Sequence, residues 1–293
     1  MESTPTSGTQ TPASTMSSTT DETSTSSVLE TEAITTTSTT RNLDFSTLQD
    51  LFPLAPSSGE QQLQQVPSSL WYILTTAVLL SFHKEKLTGA LWTYLATNAD
   101  SPQNEKQLLG IARRIRESCL KASTLVGFPR AINALFSLQT SISTTHPSLS
   151  SILATDSSLR APLDPTAKYD RGMSFFRQIY TKHTARVLSA MDSTSGGDLT
   201  HFAINCIYGE LLSEHTIIGA QETGLLEFVC CLADGCGPQA KGHFFGSLNL
   251  GASHDTLRTT VRLTEEIARQ LGLACPWKDV DVCDDFTFLE RVM

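Results

Sequence analysis

The side chains best suited to chemistry in this 293-residue sequence stand close together: Cys236, Gln239 and His243, with Glu222 upstream. A cysteine at the positive end of a helix is favoured as its thiolate, which serves as nucleophile, redox group or ligand. An imidazole with an ordinary pKa of about 6.5 moves protons near neutral pH, so His243 suits general acid–base work or an orienting role. The spacing of Cys236, Gln239 and His243 predicts one helix face and a small-molecule site lined by a thiol, an amide and an imidazole. Each residue also has a bland reading. Cys236 could be a small residue beneath a turn, and His243 could be hydrogen-bonded between helices. Glu222 could reach substrate or His243, or be a first-turn acid favoured by the helix dipole.

Two helices must position these groups. Leu225, Leu226, Phe228, Val229 and Leu232 recur at helical spacing, and Asp234-Gly235-Cys236-Gly237-Pro238 breaks that helix and starts another. Gly237 is expected as N-cap, Pro238 as first helical residue, and Gly251 as the stop. Ser253, followed by Asp255, should cap the next helix.

The stretch from Glu222 to Ser253 resembles the carboxymuconolactone decarboxylase/AhpD-like family. Glu222, Cys236, His243 and the turn Gly251-Ala252-Ser253 fall on that family's pattern. Gln239 stands at the signature's second cysteine, and Gly224 at the second acid of the helix. A second segment, Ile115-Arg116-Glu117 through Gly127-Phe128-Pro129 to Asn133-Ala134-Leu135, resembles the other end of the same domain, which suggests a duplicated or fused unit. The resemblance implies an all-α, AhpD-like helical bundle assembled as a homo-oligomer around a small-molecule substrate. It implies Cys236 and His243 as catalytic residues, with Glu222 and Gln239 binding substrate or relaying protons. Three activities stay open. One is a decarboxylase or isomerase in which His243 moves a proton to or from an enolate-like intermediate. Another is a thiol-dependent peroxidase, an oxidoreductase using Cys236 and an external reductant, since the signature's cysteine pair is incomplete. The last is a non-catalytic scaffold. Cys231 is a further, unorthodox resolving thiol if the break between helices folds it back.

Composition excludes several partners. A net charge of −9 without a basic run opposes binding to nucleic acid or to an anionic membrane surface. Leu70 to Phe82, the most apolar run, is shorter than the roughly 20 residues a membrane span needs. Seven cysteines without framework spacing indicate free thiols. No metal-ligand spacing, phosphate loop or nucleotide fingerprint appears, so neither metal nor cofactor is expected. The N-terminus lacks an apolar signal core. Its acids Glu2, Asp21 and Glu22 disfavour a mitochondrial leader, and Arg291-Val292-Met293 is not a Ser-Lys-Leu address. The expected location is intracellular, cytoplasmic by default, with mitochondrion and peroxisome left open.

Residues 1–42 are Ser/Thr-rich and predicted disordered, and 43–65 read as a linker with a short helix. Residues 66–293 form the expected all-α domain. Within it, Leu70 to Asn98 reads as a helical hairpin whose apolar face is available for assembly. Gln103 to Thr124 reads as a helix with Arg113, Arg114, Arg116 and Glu117 solvated, and Thr140 to Pro165 as a linker. Helices over 170–191 and 199–212 precede the key stretch. Glu210 and Glu214, like charges one turn apart, point to a cation or partner beside them.

Overall fold

The computed structural model describes residues 43–52, 69–97, 104–156, 162–279, 281 and 283–293, all within one compact unit, Arg41–Met293. The Ser/Thr-rich segment 1–42 and the Ser57 to Gln65 loop lie outside the described residues. Among the described residues every regular element is helical, so the fold class is all-α.

The centre is α2 (Leu70–Ser81), in which every residue is buried. Its sequence, LWYILTTAVLLS, is apolar all round, as a helix surrounded on every side must be. Thr76 and Ser81 are accommodated by donating their hydroxyls one turn back, to the carbonyls of Tyr72 and Ala77. α1 (Phe45–Asp50) is capped by the Asp44 carboxylate and packs on α2, so this part of the expected linker is docked on the core. α4 (Glu105–Val126), opened by an Asn104/Gln107 capping box, lies against α2, as do α10 (Ala220–Ala233) and α12 (His254–Leu271).

Four expectations change here. α3 (Thr88–Thr97) packs chiefly on α5 (Phe128–Thr145), so α2 and α3 do not form an isolated hairpin. Since α2 is wholly enclosed, its apolar surface is spent inside the monomer and offers nothing for assembly. The described part of Thr140 to Pro165 is helical up to Thr155, not a linker. α5 runs to Thr145 and α6 (Pro147–Thr155) follows at once, because Ile142, Leu149 and Leu153 recur at helical spacing and bury. The polar face of α4 is also not simply solvated. Glu117 is buried, while Arg113 and Arg116 clamp Asp156 at 2.8 and 3.0 Å. These two cations hold the Asp156 carboxyl below its ordinary range, against the opposing effect of burial.

A second, smaller apolar cluster gathers α7 (Pro165–Tyr180) against a π-helix, Ala203–Leu212. Gly172 and Gly209 allow this approach, since a Cβ at Gly172 would lie 2.1 Å from the Ile204 carbonyl oxygen. The helix expected over 170–191 is interrupted at Thr181, whose φ of 43° ends α7 before α8 (Thr184–Ser195) begins. α9 (Asp198–Phe202) leads into the π-helix. α7 also supplies the cations that Glu210 and Glu214 require. Lys168 pairs with Glu210, and Arg171 lies 3.2 Å from Glu214.

Candidate functional site

α10 and α11 (Gly237–Asn249) meet at a tight corner. The Cys236 amide donates to the Cys231 carbonyl at 2.9 Å and the Gly235 amide to Leu232 at 3.2 Å. With Gly235 left-handed at φ 77°, this is a Schellman termination of α10. Cys236 itself is the N-cap of α11, one residue earlier than expected, and Pro238 still falls in the first turn. Ser253 caps α12 as expected, accepting from the Thr256 amide at 3.0 Å.

The three residues do not share one environment. Cys236 and Gln239 are exposed, whereas His243 is buried, turned inward between α10 and α7. The expectation of a thiolate at Cys236 is also reversed. Partial burial and the adjacent Asp234 carboxylate, 3.8 Å from the sulfur, raise its thiol above the ordinary value. Burial together with a full negative charge at that distance outweighs the fractional positive charge of the helix end.

Glu222 is committed elsewhere. It accepts from the Gly219 amide at 2.9 Å, closing the α10 capping box, and its other oxygen pairs with Arg114. Arg114 also donates to the Ile217 carbonyl at 2.6 Å, so this network fastens the start of α10 to α4. Glu222 thus takes the first-turn structural role, although Arg114 was expected in solvent.

His243 instead faces Glu227. Its Nδ1 lies 3.5 Å from Glu227 Oε2, with His243 only 5% exposed and Glu227 fully enclosed. Neither Glu227 oxygen accepts a hydrogen bond from any described residue. Glu227 sits five residues, about 7.5 Å of helix, beyond Glu222 and on a different face. Tyr180 from α7 places its ring 6.3 Å from that of His243, and Tyr208 from the π-helix packs its ring on Phe176 beside Tyr180. Burial, reinforced by the Glu227 charge, pushes both phenols upward, so they stay protonated donors at neutral pH. Cys231, one turn after Glu227, has its thiol raised by burial, by Cys230 and by Glu227.

Four elements therefore converge a carboxylate, an imidazole, two phenols and a thiol in a dry setting. That arrangement can hold and transfer a proton, or bind a small polar molecule between donors and an acceptor. Among the described residues no group of three His, Cys, Asp or Glu side chains is placed to hold a metal ion. No described helix is long and apolar enough to cross a membrane.

Glu227 was missed in the sequence. The available signal was a single carboxylate within the otherwise apolar run Leu225 to Leu232, a position where a charge is rarely buried without purpose. Gly224, where the resembled family carries an acid, has no room for one. A Cβ there would lie 2.7 Å from Leu250 Cδ1.

Fold and site together define an all-helical protein with an enclosed carboxylate–imidazole pair. No protein-family model matches the chain, and no solved structure matches it. It is 33% identical over 160 residues to Peroxisomal protein 2 of Schizosaccharomyces pombe, covering 55% of this chain and 71% of that protein. It is also 30% identical over 191 residues to Peroxisomal protein 2 of Saccharomyces cerevisiae, covering 59% of this chain and 65% of that protein. The chain belongs to the family of the Schizosaccharomyces pombe protein.

Proposed function

We propose that this protein is a small-molecule enzyme of the carboxymuconolactone decarboxylase kind, working by acid–base chemistry at Glu227 and His243. The observation that carries this reading is the enclosed Glu227 carboxylate, which faces His243 and accepts no hydrogen bond from the described residues. A buried carboxylate left so is costly, and natural chains retain such groups where they act. In a decarboxylation, the bond from carboxylate to carbon breaks and CO2 leaves. The electron pair delocalises into an adjacent carbonyl as an enolate. His243, oriented by Glu227, delivers the proton that quenches it, and the Tyr180 hydroxyl is the nearest phenol to stabilise the developing oxyanion. Cys236 and Gln239 are exposed and have no part in that proton transfer in this reading.

The hydroperoxide-reductase alternative is less well supported, because burial and then Asp234 disfavour the Cys236 thiolate that such an enzyme needs. Assembly into a homo-oligomer belongs to the same proposal. With α2 enclosed, the apolar side chains left at the surface include Phe128, Ile132 and Phe136, successive turns of one face of α5. The names of the two relatives support a peroxisomal location.

The test is a panel of carboxylated lactones and β-keto acids, followed by CO2 release and by NMR in D2O for deuterium at the protonated carbon. Wild-type turnover should fall by 100-fold or more in both His243→Ala and Glu227→Gln, the upper range of a general acid–base contribution. Turnover unchanged in both variants would overturn the assignment. Light scattering on the full chain tests assembly. An N-terminally tagged chain followed against a peroxisomal matrix marker tests location.

A further inference from the structure

The Glu227–His243 pair is sealed in this structure. Glu227 has no exposed surface and His243 only 5%, so a molecule that reaches them must displace part of the protein. Three aromatic rings pack together beside the pair, Tyr208 and Tyr180 on either side of Phe176. Tyr208 and Phe176 are buried, whereas Tyr180 is half-buried and is the ring next to His243. The Tyr180 ring also reaches α11 at Gly242, where a Cβ would stand 3.6 Å from Tyr180 Cε1. Of the three rings, Tyr180 is therefore the one at the solvent side of the site.

The chain is held very unequally before and after Tyr180. Ile179 is pinned to α11. Its carbonyl accepts from the Asn249 side-chain amide at 2.7 Å, and its Cγ2 lies 2.6 Å from where a Cβ at Gly246 would be. Thr181, on the other side, has φ 43° and ψ −120°. Turns ordinarily give such angles to glycine, and a β-branched residue adopts them only under strain. The Thr181 side chain is exposed, so packing of its own does not offset that cost. Its amide donates to the Arg177 carbonyl, the last link of α7. Beyond it lie α8 and α9, neither of which has one buried residue. α8 rests on the small apolar cluster through the part-buried Val187, Leu188 and Met191. Elements with so little enclosed apolar surface are the ones that open at least cost.

We propose that Tyr180 is a gate over the Glu227–His243 pair, hinged at the strained Thr181, which opens as α8 and α9 move off the small cluster. In the open form Thr181 returns to a negative φ, its amide leaves Arg177, and the last turn of α7 releases the Tyr180 ring. In the closed form the ring shuts out water and brings its hydroxyl back to the site. The strain belongs to the closed form, so it favours opening and lets the gate move without unfolding the core. This inference rests on the reading of Glu227 and His243 as the site and adds to it the route of entry.

The full chain is treated with diethyl pyrocarbonate, which modifies accessible imidazoles, and the rate at each histidine is followed by mass spectrometry of its peptide. His254, exposed at the start of α12, is the internal standard. Thr181→Gly relieves the strain at an exposed position. It should slow modification of His243 by about threefold or more, the lower end of what such relief is worth after the added freedom of glycine is set against it. The His254 rate should not change. Tyr180→Ala removes the gate and should speed His243 modification by about tenfold or more, as expected where the open form is a minor population. Thr181→Gly alters no buried side chain and keeps the test decisive if Tyr180→Ala does not fold.

Equal His243 rates in wild type and Thr181→Gly would overturn the gate, as would a rate in folded Tyr180→Ala no higher than wild type. The readout is access and not turnover, so the two readings fail separately. Labelling that follows the hinge, with no decarboxylation found, would keep the gate and remove the decarboxylase. Turnover lost in His243→Ala, with labelling indifferent to Thr181→Gly, would keep the decarboxylase and overturn the gate.

Discussion

Glu227 and His243 face each other across the packed surfaces of α10 and α11, Oε2 to Nδ1 at 3.5 Å, with Glu227 out of contact with solvent. The two residues come from helices joined by one Schellman corner, so their relation is set by a local turn as much as by the core. That no described residue hydrogen-bonds this carboxylate is a cost in folding free energy.

That cost yields the first prediction. A buried carboxylate that no described residue hydrogen-bonds carries an uncompensated desolvation penalty, which an apolar side chain of similar size avoids. Glu227→Leu should therefore unfold in urea at a concentration no lower than wild type while losing turnover on any substrate found. A large loss of stability would mean that Glu227 is part of the scaffold.

Lys121 should behave in the opposite way. It has no exposed surface, and its ammonium donates to the carbonyls of Leu212, Glu214 and Ile218 and to the Thr223 hydroxyl, at 2.7–3.5 Å. Lys121→Met keeps the apolar stem but strands these acceptors, at about 1 kcal/mol or more each. Urea denaturation should show a loss of about 3 kcal/mol or more, and amide exchange in 213–219 should quicken most.

Cys236 should label slowly at neutral pH. With its thiol raised above the ordinary value of 9.0, the rate of iodoacetamide modification should reach half its maximum above that pH. Burial is the larger cause and the Asp234 charge the second; Asp234→Asn removes the second, so the midpoint should move down, provided circular dichroism shows that loss of the Arg130 bridge leaves the helices intact. An unchanged midpoint would assign the shift to burial alone.

His215 gives stability a pH dependence. Burial, then the charge of Lys121, lowers its pKa from 6.5 to about 4, and its ring packs edge-on to Phe175 at 4.7 Å. The folded state thus favours the neutral ring, while the unfolded chain takes up a proton as pH falls below about 6.5. The contribution is full above that pH and lost as pH drops towards about 4. Urea midpoints measured across this window should fall with acidification, and less steeply in His215→Leu.

Gly224→Glu would install an acid where the resembled family has one. With Leu250 Cδ1 2.7 Å from the new Cβ, overpacking should cost about 1–3 kcal/mol and leave turnover no higher. Thermal unfolding and turnover measured together would show whether Glu227 has taken over that position's role.

Most helices were legible because their apolar residues recur at fixed spacing and their ends carry Gly127, Pro238 or Ser253. Thr140 to Pro165 was misread because its Ser and Thr content resembles a loop, while three widely spaced apolar residues, Ile142, Leu149 and Leu153, suffice to dock it. The break at Thr181 and the π-helix at 203–212 left no clear mark, since both arise from how α7 and its partner crowd each other.

At the site, the sequence by itself determined the helix break at Asp234 to Pro238, the cap at Ser253 and the presence of His243 on the second helix. Those features are local, set by backbone preferences of neighbouring residues. Only the tertiary structure decided which acid His243 meets. Glu222 is drawn away by Arg114 and by its own helix cap, and Glu227 is turned into the core by the rotation of α10 against α2 and α11. The state of the Cys236 thiol was likewise decided in three dimensions. A helix end adds a fractional charge that spacing can reveal, but the Asp234 carboxylate beside the sulfur is a whole charge whose approach the corner alone fixes.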